Sequence, residues 1–220
     1  MRKKALFLSL LLWVFSLQAH AKEYSAPYEL VDKATITMRR FLEDKDMAWL
    51  REHLKEAKGV LIIPQLLKGA FFLGGSGGSG VFLVRYPEND WSYPAFYTVG
   101  SVSFGLQFGG EVSEVVLLIM SQKGIDAFLS TAVKLGGDVS VAAGPIGMGA
   151  KAQLADVLAF GRSKGAFIGI SLEGAVIKPR DSWNRKYYGR AVRPVEIIYG
   201  RAVKNPHADP LRKLLKDYCP

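Results

Sequence analysis

The sequence predicts an α+β fold in which N-terminal amphipathic helices and a C-terminal helix pack on a Gly-rich, mainly antiparallel sheet. Apolar residues recur at three- and four-residue spacings near both ends of the chain. Between about residues 69 and 177, glycine is dense and short apolar runs alternate with small residues. Long helices do not alternate with these strands, which disfavours Rossmann and TIM-barrel folds. Many short strands with one small-residue face favour a strongly curved or barrel-like sheet.

Residues 1–21 have the pattern of a secretory signal peptide. Three basic residues, Arg2 to Lys4, precede the apolar run 5–17, and Ala19-His20-Ala21 supplies the small-x-small cleavage pattern. The apolar run has 13 residues, whereas a membrane span needs about 20. We therefore expect cleavage after Ala21, with export to the periplasm or the medium. No Cys follows the cut to carry a lipid anchor.

The composition of the exported chain favours acidic partners. The leader holds three of the 29 basic residues and none of the 20 acidic ones, so residues 22–220 carry a net charge of +6. An exported protein rarely meets nucleic acid, so anionic lipid or an envelope polymer is the favoured partner class. Residues 22–220 fit one domain. The single cysteine, Cys219, either pairs between chains or lies in a frayed tail.

Two helices are predicted before the sheet. In the first, Leu30, Ala34, Met38 and Phe41 follow helical spacing. A second helix follows with Met47, Leu50, Leu54 and Ala57 as its buried stripe, and Asp46 is its expected N-cap.

The middle of the chain predicts strands. Residues 60–63 form a short buried strand that Pro64 is expected to end. Apolar runs at 70–73 and 81–86 flank the glycine-rich segment 74–80. Further strands are expected at 101–109, 111–120, 139–143, 148–154, 157–161 and 167–177. A helix is expected at 123–134, a helical turn at 182–188, and a final helix capped by Asp209.

The glycine-rich segment matches two functional motifs. Residues 75–80 satisfy G-x-G-x-x-G, but a dinucleotide site needs a helix to follow, and a predicted strand follows here. Residues 74–78 satisfy G-x-S-x-G around Ser76, but that motif needs a strand-to-helix turn and a His base. We interpret the segment as a mobile hairpin turn, with no nucleotide bound.

Catalytic and metal-binding residues are not predicted. The exported chain has two histidines, His53 and His207, which we interpret as solvated residues at helix ends. One Cys and two His are too few for a structural zinc site, and the acidic residues lack metal-ligand spacing. We expect no cofactor and no enzyme activity.

Clustered basic residues are the remaining functional signal. One cluster lies near the N-terminus, and its members are the predicted lipid-binding residues Lys33, Arg39, Arg40, Arg51, Lys55 and Lys58. A second cluster near the C-terminus comprises Arg201, Lys204, Arg212, Lys213 and Lys216. Each cation near an anionic bilayer contributes about 1 kcal/mol of binding free energy. The alternative is a solvated helix face, since acidic residues interrupt the N-terminal cluster.

Ordered motifs through the chain resemble the SYLF family. They include Trp91-Ser92-Tyr93-Pro94-Ala95-Phe96-Tyr97, Gly105-Leu106-Gln107, Gly144-Pro145-Ile146-Gly147 and Leu172-Glu173-Gly174. The resemblance covers about residues 47–200 and identifies residues 22–220 as one SYLF-type domain of an exported bacterial kind.

The resemblance implies a non-enzymatic module that binds phosphatidylinositol-type lipids through a basic amphipathic N-terminal helix. By that resemblance the helix around Lys33, Arg39 and Arg40 is the expected lipid contact. In a bacterial envelope, cardiolipin or phosphatidylglycerol would replace the phosphoinositide. Some members regulate actin, but these 220 residues show no SH3 or FYVE segment, so that role is not expected to transfer. The alternative is an envelope scaffold that binds a protein partner.

Overall fold

The computed structural model describes residues 25–71, 73–103, 111–144, 154–163, 166–168, 170 and 172–219. The predicted leader and most of the predicted strand 148–154 lie outside these residues. The α-helices are α1 (Ala26–Glu43), α2 (Ala48–Leu54), α3 (Gln122–Phe128), α4 (Asp181–Tyr188), α5 (Pro194–Ile198) and α6 (Asp209–Asp217). Short 3₁₀ helices, Lys45–Met47 and Pro206–Ala208, precede α2 and α6.

The described strands form one sheet. They are β1 (Gly59–Phe71), β2 (Leu73–Val84), β3 (Ala95–Ser103), β4 (Glu111–Ile119), β5 (Val133–Lys134), β6 (Val141–Ala143), β7 (Val157–Ser163), β8 (Ala166–Ile168) and β9 (Val176–Pro179). Their order is β5-β9-β3-β2-β1-β4-β7-β6, and β8 pairs with β7 off this path. Every pairing between these named strands is antiparallel except that of β6 with β7. The sheet curls into a half-barrel, so the predicted α+β class and curvature are confirmed.

Both faces of the sheet are buried by helices. One face, with Val60, Ile62 and Leu118, packs against α1, α2, α4 and α6. The other face, with Leu61, Phe82 and other apolar residues, packs against α3 and α5. Successive residues of a strand point to opposite faces of the sheet. Because both faces are buried, the central strands are apolar at successive positions.

The predicted amphipathic helix at the N-terminus is confirmed as α1. Its buried stripe is the predicted one, and the members are Leu30, Val31, Ala34, Met38, Phe41 and Leu42. Pro27 lies in its first turn, where a missing N–H costs nothing. This stripe lies over β1 and β2 and fixes the orientation of the outward face of α1.

The C-terminal helix α6 is also confirmed, although its cap differs. Leu211, Leu214 and Leu215 are buried as predicted. Asp209 is the first helical residue rather than the cap, and it accepts from Tyr93 Oη and Arg212 instead. Cys219, just beyond the helix, is buried with its Sγ 3.5 Å from the Leu54 carbonyl oxygen. The expectation of a frayed tail is therefore wrong.

Two further helix boundaries differ from the prediction. Asp44, not Asp46, caps the turn before α2, because its carboxylate accepts from the Asp46 N–H at 3.0 Å. Helix α3 ends at Phe128, and Val133 and Lys134 continue as the edge strand β5. The sequence 123–134 has helical spacing throughout, so only pairing with β9 shows where the helix ends.

Strand β1 does not end at Pro64. It continues to Phe71, and its register with both β2 and β4 shifts between Ile62 and Leu66. This shift marks a β-bulge, which is a position where a strand tolerates the missing N–H of proline. Beyond the bulge, Leu66 packs in the α3–α5 face while Leu67 is exposed.

The glycine-rich segment 74–80 is strand rather than the predicted hairpin turn. It forms most of β2 and pairs along its length with β3. Gly78 and Gly80 lie against the β1 bulge, where an added Cβ would be 2.6 Å from the Gln65 carbonyl oxygen and 2.8 Å from the Ile62 carbonyl oxygen. The glycines therefore permit close approach of two backbones.

Candidate functional site

Three of the predicted lipid-binding residues lie on the outward face of α1. Each forms an ion pair with a carboxylate: Lys33 with Glu29 at 2.6 Å, Arg39 with Glu43 at 3.9 Å, and Arg40 with Glu114 at 2.8 Å. The three cations remain about half exposed. Because their charges are compensated, α1 contributes little net positive potential.

The other three predicted residues are separated from that face. The Arg51 guanidinium donates to the carbonyl oxygens of Leu42 and Asp44, which completes hydrogen bonding at the end of α1. Lys55 and Lys58 are exposed between α2 and β1. Lys58 directly precedes β1, and Leu67 lies nine residues further along this extended strand. Nine residues of extended chain span about 30 Å, so Lys58 is far from Leu67.

An exposed apolar patch adjoins α1, and the sequence analysis did not identify it. Leu67 of β1 lies directly opposite Val112 of β4, and the two side chains are 56% and 50% exposed. Ile36, 51% exposed, lies on α1 between Lys33 and Arg40. We call these three exposed side chains, one on α1 and two on the strands that α1 contacts, the apolar patch: Ile36, Leu67 and Val112.

Contacts on both sides connect α1 with the strands of the apolar patch. Lys33 and Leu67 line one groove of about 240 Å³. Glu114, two residues beyond Val112 on β4, accepts from Thr37 at 3.1 Å and from Arg40 at 2.8 Å. Basic side chains therefore border exposed aliphatic ones, which is the composition of a surface that enters a lipid interface.

One group of uncompensated cations lies on α4 and the segment after it. Residues 178–204 hold eight Lys and Arg residues and two acidic residues. Arg185, Lys186 and Arg190 are exposed, and no carboxylate lies within ion-pair distance of them in the described part of the chain. Helix α4 packs beside α1, and its Trp183 lines the same groove as Lys33. These cations lie outside both sequence clusters, so charge runs alone did not reveal them.

The aromatic motif at 91–97 has a structural role. Trp91 is fully buried, and Ser92 Oγ accepts from the Val84 N–H at 3.0 Å. Tyr97 Oη donates to the Phe128 carbonyl oxygen at 2.6 Å, and burial raises the pKa of Tyr97 far above its usual value. These contacts join β2, β3 and α3, so this motif specifies the fold rather than a ligand contact.

Neither glycine-rich motif has the backbone that its chemistry requires. Ser76 lies within β2, and β2 continues as strand to Val84, so the strand-to-helix turn of a nucleophile elbow is absent there. Ser79 Oγ accepts from Arg180 at 2.6 Å, and the Arg180 guanidinium stacks 3.7 Å from the Trp183 ring centroid. Burial lowers the pKa of Arg180.

The histidines are more enclosed than predicted. His207 lies between Tyr187 Oη, 3.1 Å from Nδ1, and Asp32, 3.1 Å from Nε2. His53 contacts the Trp49 carbonyl oxygen within α2 at 2.9 Å. Both rings therefore connect local elements, and in the described residues no three His, Cys, Asp or Glu side chains gather to hold a metal ion.

Among the helices that the structure describes, none has the length and apolarity to cross a bilayer.

Comparison with known proteins identifies the family. The family model Ysc84, described as Las17-binding protein actin regulator, matches residues 100–218. The chain is similar to protein YSC84 of Saccharomyces cerevisiae, with 37% identity over 171 residues that cover 74% of this chain and 36% of the relative. It is 37% identical to LAS seventeen-binding protein 3 of the same yeast, over 74% of this chain and 37% of that protein.

A mammalian relative matches the same length of chain. The SH3 domain-containing YSC84-like protein 1 of Bos taurus is 32% identical over 171 residues, which cover 75% of this chain and 50% of the relative. The chain thus spans between about a third and a half of the length of these curated relatives. The matches confirm the SYLF resemblance drawn from the residues, and the chain belongs to the Ysc84 (SYLF) family.

Proposed function

We propose that this domain is a non-enzymatic module that docks peripherally on membranes rich in anionic phospholipid. The observation that carries this proposal is the apolar patch of Ile36, Leu67 and Val112, exposed beside Lys33 and Arg40. Large exposed aliphatic side chains with a basic border are costly in water and favourable at a lipid interface. Helix α1, which carries Ile36, is the contact that the family resemblance implies.

The magnitudes favour weak, reversible docking. Burying the exposed half of one aliphatic side chain contributes on the order of 1 kcal/mol. Each uncompensated cation near an anionic leaflet contributes about 1 kcal/mol. Because the α1 cations are ion-paired, the electrostatic part comes chiefly from Arg185, Lys186 and Arg190 beside α1.

The proposed ligand is a phospholipid with an anionic, phosphoinositide-like headgroup, or phosphatidylglycerol or cardiolipin in a bacterial envelope. The proposed location is outside the cytoplasm, in the periplasm or secreted, after cleavage of residues 1–21. Under this proposal the domain contacts the headgroup layer with α1, α4 and the end of the β1–β4 pair, and it needs no cofactor.

Flotation with lipid vesicles tests the proposal. The chain from residue 22 should float with phosphatidylglycerol vesicles and remain unbound with phosphatidylcholine vesicles. Ile36→Gln with Leu67→Gln should reduce the bound fraction severalfold, because it removes apolar side chains from the proposed contact. Both side chains are exposed, so the double variant should still fold. Arg185→Gln with Lys186→Gln should reduce it comparably, and raised salt should weaken binding by the native chain.

Two matched controls lie on other surfaces of the domain. Val195→Gln changes an apolar side chain that is 38% exposed on α5, on the opposite face of the sheet from α1. Lys134→Gln changes an exposed cation on β5. Equal loss of binding in the controls and in the patch variants, or equal binding to both kinds of vesicle, would refute the proposed surface.

A second candidate function is binding of a protein partner. Relatives are named for binding Las17, and the family description is that of an actin regulator. We infer that an envelope scaffold role is the main alternative for this chain. A pull-down that yields one stoichiometric partner, stable in high salt and without lipid, would favour this alternative over membrane docking.

A further inference from the structure

We propose that a second site, in a cleft beside the start of β1, binds a phosphate monoester. The cleft has a volume of about 610 Å³ and lies between the end of α2, the turn after β2 and the segment after α5. Lys58, Arg85 and Arg201 line it together with Tyr86, Gln122 and Tyr199. It lies about 30 Å along β1 from the apolar patch, so the two sites can be tested separately.

Positive charge in the cleft exceeds negative charge. The Arg85 guanidinium is held by neutral acceptors, the Asn89 side-chain oxygen at 2.8 Å and 3.2 Å and the Lys55 carbonyl oxygen. Among the described residues, no carboxylate forms an ion pair with Arg85 or Lys58. A charged guanidinium fixed by neutral groups retains its charge and its remaining N–H donors for an anion.

The third cation, Arg201, is positioned by an unfavourable backbone conformation. Arg201 and Asn89 are the two non-glycine residues with positive φ in the described part of the chain, at 47° and 56°. An L residue pays free energy for this conformation, which persists only where the surroundings impose it. It places the Arg201 guanidinium 4.0 Å from the Tyr86 ring centroid, at the cleft wall.

Two carboxylates also line the cleft, and one of them competes with an anionic ligand for a cation. Glu88 lies 3.2 Å from Arg201, and both side chains are more than half exposed. Glu56 is exposed at the rim. An incoming dianion would displace the Glu88 carboxylate from Arg201, since an exposed ion pair is weak.

The cleft chemistry fits a phosphate attached to a small polar group. Two guanidinium groups and one ammonium group supply the charged donors that the oxygen atoms of a phosphate accept from. The volume is larger than one phosphate needs, and the Gln122 amide and Tyr199 hydroxyl, which lie 3.1 Å apart, offer hydrogen bonds to a polyol. A soluble phosphate ester and the headgroup of a phosphomonoester lipid share this chemistry.

Calorimetric titration of the chain from residue 22 with sn-glycerol 3-phosphate tests the site, with glycerol as the uncharged comparison. Saturable binding of the phosphate ester alone is expected at constant ionic strength. Lys58→Gln and Arg201→Asn should each weaken it about tenfold, the usual effect of one charged hydrogen bond. Asn tolerates positive φ, so Arg201→Asn keeps the backbone.

Substitutions with opposite and null effects make the test decisive. Glu88→Gln should tighten binding severalfold, because it removes the competitor for Arg201. Lys134→Gln and Ile36→Gln should leave it unchanged. Vesicles with phosphatidic acid that bind through Lys58 and Arg201, without binding of the soluble ester, would support the site with a lipid as its ligand. Absence of binding to both, or binding insensitive to Lys58, Arg201 and Glu88, would overturn the proposal.

Discussion

Gly80 of β2 lies so close to Ile62 of β1 that a Cβ on Gly80 would be 2.8 Å from the Ile62 carbonyl oxygen. At Gly78 the corresponding distance, to the Gln65 carbonyl oxygen, is 2.6 Å. Both contacts lie at the bulge next to Pro64, where β1 changes register. Real Cβ atoms do not approach backbone oxygens this closely, so the two strands must separate if either glycine is replaced.

Gly80→Ala should therefore lower the free energy of unfolding by about 1–3 kcal/mol, as overpacking of a buried site does. Gly77→Ala is the matched control, because nothing lies within 4 Å of its added Cβ. That control should be neutral or stabilising by up to about 1 kcal/mol, since glycine weakens a strand interior. Urea unfolding followed by circular dichroism measures both, and equal effects would contradict the close approach.

Asp156 connects three segments and should make folding sensitive to acid. Its carboxylate accepts from Ser121 Oγ at 2.5 Å and from Ser140 N and Oγ at 3.0 and 2.9 Å, with Lys123 3.3 Å away. Burial alone would raise its pKa, but these hydrogen bonds lower the pKa from 3.8 to about 2.

Because the folded pKa of Asp156 lies below the unfolded value, its stabilisation is present above about pH 4. It is lost as the pH falls from about 4 to about 2, and it amounts to roughly 2 kcal/mol. Asp156→Asn should remove that part of the acid dependence in unfolding curves recorded between pH 7 and pH 2. Glu52→Gln, at an exposed carboxylate of α2, is the control and should leave the dependence intact.

The Cys219 thiol should be unreactive in the folded protein. It is fully buried, and burial raises its pKa, so little thiolate forms at neutral pH. We expect alkylation by iodoacetamide at pH 8 to be at least about 100-fold slower in the native chain than in denaturant. Rapid native alkylation, or a disulfide-linked dimer under non-reducing conditions, would show that the C-terminus opens.

Neutralising Arg40 should cost little stability, which allows its use in binding experiments. Its pair with Glu114 is exposed at the Arg40 end, by 57%, and Thr37 still donates to Glu114 when Arg40 is absent. Arg40→Gln should lower the free energy of unfolding by less than about 1 kcal/mol.

Arg162→Gln is the contrast for Arg40, since Arg162 and its partner Asp44 are only 19% and 20% exposed. It should cost about 1–3 kcal/mol, because it leaves a more buried charge without its partner. Chemical unfolding of the two variants in parallel gives the comparison. If Arg40→Gln lowered the free energy of unfolding more than Arg162→Gln does, the exposure of these ion pairs would not determine their contribution to stability.

The sequence predicted the elements whose signal is local. The stripe of α1, the stripe of α6 and the strand 111–120 follow from side-chain periodicity, and all are confirmed. Prediction was wrong where proline and glycine were interpreted as breaks. Pro64 lies in a bulge within a strand, and residues 74–80 form a strand in which Gly78 and Gly80 lie too close to β1 for a side chain.

By itself, then, the sequence determined the fold class, the family and the first and last of the described helices, because periodicity and motifs are properties of neighbouring residues. Only the tertiary structure decided which charges remain uncompensated and which apolar side chains remain exposed. Arg40 meets Glu114 across 74 positions, and Leu67 meets Val112 through the register of β1 with β4. Such surfaces depend on contacts between segments distant in the chain, and no local pattern encodes those contacts.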